Sequence, residues 1–154
     1  MSSALPDVAE LLPHRGHALL LARIVEWTPE EVCCEATFGD DSPYLRQGRL
    51  EALCGVEVLA QSAGAYLGLS RRAAGATSGG ALLPVRVGYL VGVPSAELRV
   101  DALPVGRPLT ARVRPLWQQG GAARFEGTLS AGDTVLLTAE LDVFQRTADD
   151  AEAG

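Results

Sequence analysis

One stretch constrains the fold more than any other: Arg49 to Arg72, RLEALCGVEVLAQSAGAYLGLSRR. Leu53, Val56, Ala60, Ala63 and Leu67 recur at helical spacing, and Leu50, Cys54, Val58, Leu59 and Ala65 fill most of the remaining faces. A helix apolar nearly all round belongs inside something. Gly55, Gly64 and Gly68 each lower its intrinsic helicity by roughly 1 kcal/mol relative to Ala, so tertiary packing must hold it and another chain segment comes close. Within this surface lie a carboxylate, Glu57, and an amide, Gln61, one turn apart on one face. A buried, unpaired carboxylate costs several kcal/mol, so Glu57 is expected to be paired with an arginine, protonated, or held for chemistry.

The chain around this helix reads as strands. Asp7 to Leu12 predicts a short helix ended by Pro13, with Met1 to Ser3 frayed. Ala18 to Trp27 reads as a first strand. Glu31 to Phe38 reads as a second, with Val32, Cys34, Ala36 and Phe38 on its apolar side. Gly39 to Gly48 is a loop into the helix, and Ala73 to Gly80 an exit linker, disordered at Thr77 to Gly80. Five further strands follow: Leu83 to Gly92, Ala96 to Ala102, Leu109 to Trp117, Ala122 to Leu129 and Val135 to Phe144. Residues 1–147 are read as a single domain and 148–154 as a loose acidic tail. Seven mostly antiparallel strands curled around one long hydrophobic helix make an α+β chain of the hot-dog type, a fold that pairs as dimers.

Composition excludes several function classes. The net charge of −6 argues against nucleic-acid binding. No apolar run is long enough to span a membrane, and the N-terminus lacks a secretory pattern, which points to the cytoplasm. Cys33, Cys34 and Cys54 have neither disulfide parity nor metal-ligand spacing, and are read as structural rather than nucleophilic. All thirteen cationic side chains are arginine.

Three ordered motifs resemble a known family. Leu12-Pro13-His14-Arg15 followed by Leu19-Leu20-Leu21-Ala22-Arg23 resembles the LPHR…LLVDR opening of the 3-hydroxyacyl-(acyl carrier protein) dehydratases. Glu57-Val58-Leu59-Ala60-Gln61 resembles their E-x-x-A-Q helix motif, and Gly88 to Val93 with Pro104-Val105-Gly106 resembles a later strand and its turn. With Gly55-Val56 ahead of the glutamate, the pattern is similar to the dehydratase-like proteins of aryl polyene pathways. The chain also departs from the family. Its G-H-F-P-G segment is replaced by Gln47-Gly48-Arg49-Leu50, so the usual catalytic histidine is absent and Arg49 is its nearest counterpart. The family's helix-opening glycine is Ala52, and the aspartate of LLVDR is Ala22.

The resemblance implies a substrate carried on the phosphopantetheine arm of an acyl carrier protein, with no other cofactor and no metal. Dehydration of a 3-hydroxyacyl thioester needs a group to take the proton beside the carbonyl, one to protonate the leaving hydroxyl, and donors for the enolate oxygen. It implies Glu57 as the acid, its pKa raised by an apolar setting, and His14 as either a second catalytic group or a structural hydrogen-bonding residue. Arg49, Ala52, Leu53, Gln61, Gly88 and Tyr89 are expected along the substrate tunnel, Ala52 through its amide and Arg49 as an alternative partner for Glu57. His17 is expected at the surface. Arg46, Arg71, Arg72, Arg112 and Arg114 are candidates for a positive mouth facing an acidic carrier protein. Two other readings stay open: a thioesterase using Glu57, and a non-catalytic subunit that binds an acyl chain or completes the dimer of an active hot-dog partner.

Overall fold

The computed structural model describes residues 4–75 and 87–146. Strand β1 (Leu21–Thr28) turns at Thr28 to Glu31 into β2 (Glu31–Ala36). A loop then leads to the two-residue strand β3 (Leu50–Glu51) and the helix α1 (Cys54–Gly75). Strands β4 (Gly88–Leu98), β5 (Ala102–Leu103), β6 (Leu109–Gln119), β7 (Ala122–Ala131) and β8 (Thr134–Gln145) follow. Six of them form one antiparallel sheet in the order β1-β2-β6-β7-β8-β4, and β3 pairs with β5 apart from it. This is the hot-dog arrangement.

Alternation builds the concave face that receives the helix. On β7, Ala123, Phe125 and Leu129 are buried; on β8, Leu137, Ala139, Leu141 and Val143 are, and Phe125 stands opposite Leu141 and Leu129 opposite Leu137. From α1, Val58, Leu59, Ala63, Ala65 and Tyr66 pack down into this face. Tyr66 meets Phe125 edge-on at 5.5 Å between ring centroids and donates its hydroxyl to the Pro29 carbonyl. The close approach to the helix occurs at Gly55, and it is made by side chains: an added Cβ would lie 2.8 Å from a methyl of Leu129 and closer still to one of Leu137.

The structure corrects the expected boundaries in three places. The helix begins at Cys54, because Leu50 and Glu51 pair with Leu103 and Ala102 instead of joining it. Arg46 and Arg49 close a tight turn whose central residues, Gln47 and Gly48, both have positive φ. The first strand starts at Leu21, after a short 3-10 turn over Gly16–Ala18. The two strands expected over Leu83 to Gly92 and Ala96 to Ala102 are one edge strand, β4, which runs through Pro94 with register shifts between Leu90 and Gly92 and between Gly92 and Ser95. An edge position tolerates a residue without an N–H. The expectations for Met1 to Ser3, Thr77 to Gly80, the start of the Leu83 strand and the acidic tail fall outside the described residues.

Both edges of β2 are covered, and Cys33 and Cys34 are buried on its opposite faces as free thiols. Burial pushes the Cys34 thiol up to about 12, which leaves it protonated and inert. Cys54, at the helix start, is also raised by burial, so no helix-terminal thiolate forms there.

Candidate active site

The first turns of α1, the segment before β1 and the ends of β4 and β8 enclose a cavity of about 270 Å³. Glu57, Ala60, Gln61, Gly64 and Leu67 form its helical wall, at positions i, i+3, i+4, i+7 and i+10, the spacing of one helix face. Leu12, Pro13 and His14 close one side, and Gly88, Leu90, Val143 and Gln145 the other.

Gln61 fixes the geometry. Its side chain is buried; its Nε2 donates to the Ala18 carbonyl at 2.7 Å and to Glu57 Oε1 at 3.1 Å, and its Oε1 accepts from the Leu20 amide at 2.9 Å. The amide therefore ties α1 to the segment entering β1 and holds the Glu57 carboxylate in place. Arg15 fixes the neighbouring turn, its Nη1 donating to the Leu12 and His14 carbonyls at 2.7 Å each. That turn brings His14 Nε2 to 3.7 Å from Glu57 Oε1. His14 Nδ1 is buried and has no hydrogen-bond partner among the described residues.

The structure thus brings together Glu57, His14, Gln61 and Gly88. It corrects the depth expected for Glu57, whose side chain is 47% exposed in the single chain; the buried polar residue of the pair is Gln61. It also separates three residues from their expected roles. Arg49 does not neutralise Glu57: its guanidinium lies 4.0 Å from Asp101 Oδ2, on the turn preceding β3. The Ala52 amide is not free for an oxyanion, since it donates to the Asp101 carbonyl at 3.1 Å. Leu53 is 66% exposed at the helix start, and neither it, Ala52 nor Arg49 lines the cavity. Tyr89 lines the cavity between Gly88 and Leu90 and is 51% exposed.

His17 is exposed, as expected. Of the candidate cationic side chains, Arg72 lies beside Glu10, Arg112 bonds Glu31 at 2.7 Å, and Arg114 bonds Glu126, so these three are compensated at the surface. Sequence reasoning missed Leu12, Gly64, Val143 and Gln145 as cavity walls. Gly64 was legible as the next position on the Glu57–Gln61 face; the two β8 residues were not, because nothing local says which inward-facing strand residue lies over a gap.

The sequence matches the ApeP-like dehydratases, described as ApeP dehydratase, over residues 6–153. The chain belongs to the ApeP-like dehydratase family. Its fold superimposes on the dehydratase heterocomplex ApeI:P from Xenorhabdus doucetiae with a TM-score of 0.85, at 26% identity over 97% of both chains. A hypothetical thioesterase from Streptococcus pneumoniae, solved with coenzyme A, gives a TM-score of 0.57 at 12% identity, covering 80% of this chain and 84% of that one. The PaaI protein of E. coli gives 0.57 at 8% identity over 79% and 80%. These last two share the fold alone. No curated protein matches the sequence.

For an ApeP-like dehydratase, the cavity holds the family's helix glutamate in place and supplies a histidine from the opening LPHR motif. Neither Ala52, whose amide is engaged, nor Leu53 lines this cavity. Among the described residues no helix is long and apolar enough to cross a membrane.

Proposed function

We propose that this chain eliminates water from a 3-hydroxyacyl thioester carried on an acyl carrier protein, in the cytoplasm, as one half of a dimer with another hot-dog chain. The observation that carries this reading is the placement of Glu57, His14 and Gln61 around one cavity, with His14 Nε2 3.7 Å and Gln61 Nε2 3.1 Å from the same carboxylate oxygen. Glu57 and His14 are the pair able to move the two protons. One takes the proton beside the thioester carbonyl, and the other delivers a proton to the departing hydroxyl, leaving the 2-enoyl thioester and water. Gln61 keeps the carboxylate oriented without itself meeting the substrate's reacting atoms.

Two features favour a partner over a self-sufficient monomer. The carboxylate is half open to water, whereas proton transfers of this kind gain from a dry site. The enolate oxygen also needs donors that Ala52 cannot provide, its amide being engaged by Asp101. A second chain laid along the exposed edge strand β4 would meet the cavity rim at Gly88 and Leu90, supplying cover and donors together. The ApeI:P relative is itself a heterocomplex.

The test is an assay with 3-hydroxyacyl-carrier substrates, with the chain alone and mixed with a histidine-containing hot-dog dehydratase subunit. Turnover by the mixture, falling about 10²-fold or more in Glu57→Gln with an unaltered melting temperature, is expected. Full activity of the Glu57→Gln mixture would place the chemistry elsewhere and favour the non-catalytic subunit reading.

A further inference from the structure

A histidine that moves protons is commonly oriented through its second ring nitrogen, hydrogen-bonded to a carbonyl or a carboxylate. His14 lacks that support. Its Nε2 lies 3.7 Å from Glu57 Oε1, while Nδ1 is buried with no hydrogen-bond partner among the described residues. With no hydrogen bond at Nδ1 to aim the ring, its place is set by the backbone of its own turn.

Backbone hydrogen bonds do little to hold that turn. Pro13 has no N–H, and among the described residues neither the Leu12 nor the His14 carbonyl accepts from a backbone amide. Both carbonyls accept instead from Arg15 Nη1, at 2.7 Å each. One nitrogen, with its two protons, thus spans the Pro13–His14 pair and fixes the separation of its ends.

The staple has a firm anchor. Leu12 is buried, and its Cδ2 would lie only 2.9 Å from a Cβ on Gly64, so the leucine is seated on α1 two turns beyond Glu57. Arg15 therefore ties His14 to a residue already in register with the helix that carries Glu57. The far end of the same segment is held separately, by Gln61 on Ala18 and Leu20. Arg15 itself is exposed, so its side chain adds nothing to the buried core.

We infer that Arg15 is a positioning residue for the elimination: by stapling the Leu12 and His14 carbonyls it keeps the His14 ring within reach of Glu57, and it acts on the chemistry only through His14. This inference rests on the reading of Glu57 and His14 as the proton-transfer pair and adds the residue that aims one of them.

The test uses the chain paired with its hot-dog partner and counts the turnover that Glu57→Gln abolishes. Arg15→Met is expected to lower kcat by about tenfold to a hundredfold, the cost of misplacing a reacting group by about 1 Å, with KM for the carrier-bound substrate and the melting temperature unchanged. Arg15→Lys, which keeps donors but loses the planar fork, should recover part of the loss. In a His14→Ala background Arg15→Met should cost nothing further, because the two residues act as a unit. A loss confined to KM, which would make Arg15 a carrier contact, an undiminished loss in the His14→Ala background, or no loss at all would overturn the inference. Nuclear magnetic resonance supplies a readout without turnover: the ring signals of His14 should move in Glu57→Gln, and should lose that response when Arg15→Met is present. A response that persists in Arg15→Met overturns the staple. Turnover unaffected by both Glu57→Gln and His14→Ala would instead remove the proton-transfer reading, and with it any part of Arg15 in the chemistry.

Discussion

Glu57 and Gln61, placed together in the apolar surface by periodicity, part in their environments: Gln61 is buried and Glu57 is exposed. Spacing puts both on one helix face, and that held; what spacing cannot show is how far the neighbouring segment covers the face. The Ala18 to Leu20 backbone lies over Gln61 and satisfies both ends of its amide, whereas a carboxylate there would have met the Ala18 carbonyl without a donor. Glu57, one turn earlier, opens into the cavity. The proximity of His14 was legible only through the LPHR resemblance, because no local rule brings a residue 43 positions away to the helix. At the same scale, Cys34 carries a pH dependence. Its thiol sits at about 12 against an ordinary 9.0, mainly through burial. Between those values the unfolded chain has released the proton and the folded chain has kept it, so stability is full below pH 9 and falls as pH rises through the window. Denaturation curves should show a slope of up to about 1.4 kcal/mol per pH unit from this group, absent in Cys34→Ala. Equal alkaline slopes in the two proteins would count against a protonated, buried Cys34.

At the scale of elements, the helix and the last three strands follow their sequence patterns closely, because a two-residue or 3.6-residue repeat sustained over ten positions outweighs local accidents. The failures are short or interrupted elements. Leu50 and Glu51 look helical in composition and are drawn into β3 by pairing with β5, a tertiary contact invisible to local propensity. Pro94 looks like a break and is absorbed at a sheet edge by a register shift. Gly55 shows the opposite case, where a weak helix former is required. Alanine there would gain about 1 kcal/mol of helix propensity in isolation, yet its methyl would collide with Leu129 and Leu137. Gly55→Ala should therefore lower unfolding stability by about 1–3 kcal/mol in urea titrations. An unchanged or raised midpoint would mean that the helix start is looser than the packing shows.

At the scale of the whole molecule, the six-stranded sheet is open, with β1 and β4 as its edge strands. Strand β4 presents an open hydrogen-bonding edge together with exposed Val87, Leu90, Val91, Val93 and Leu98, a surface that invites strand pairing. The same strand borders the candidate active-site cavity through Gly88, Tyr89 and Leu90, so a chain paired on this edge would lie beside it. Val91, 65% exposed at the register shift, is the direct probe. Val91→Lys should weaken association with a hot-dog partner by about tenfold or more in analytical ultracentrifugation, without unfolding the chain, because charged edges oppose pairing. Undiminished association would move the interface away from β4. The missing histidine ahead of the helix is one ground for proposing a partner chain. The engagement of the Ala52 amide was not legible, since Asp101, whose carbonyl accepts from it, lies in a distant loop.

Elimination on a carrier-bound thioester, driven by Glu57 in a cavity completed by a second chain, is tested most directly by mass spectrometry of the carrier protein after incubation of 3-hydroxyacyl-carrier with the paired complex. Loss of one water with the thioester intact, dependent on Glu57, is expected. Release of the free acid and bare carrier would contradict it, as would an unchanged 3-hydroxyacyl-carrier in the presence of every hot-dog subunit that binds the chain.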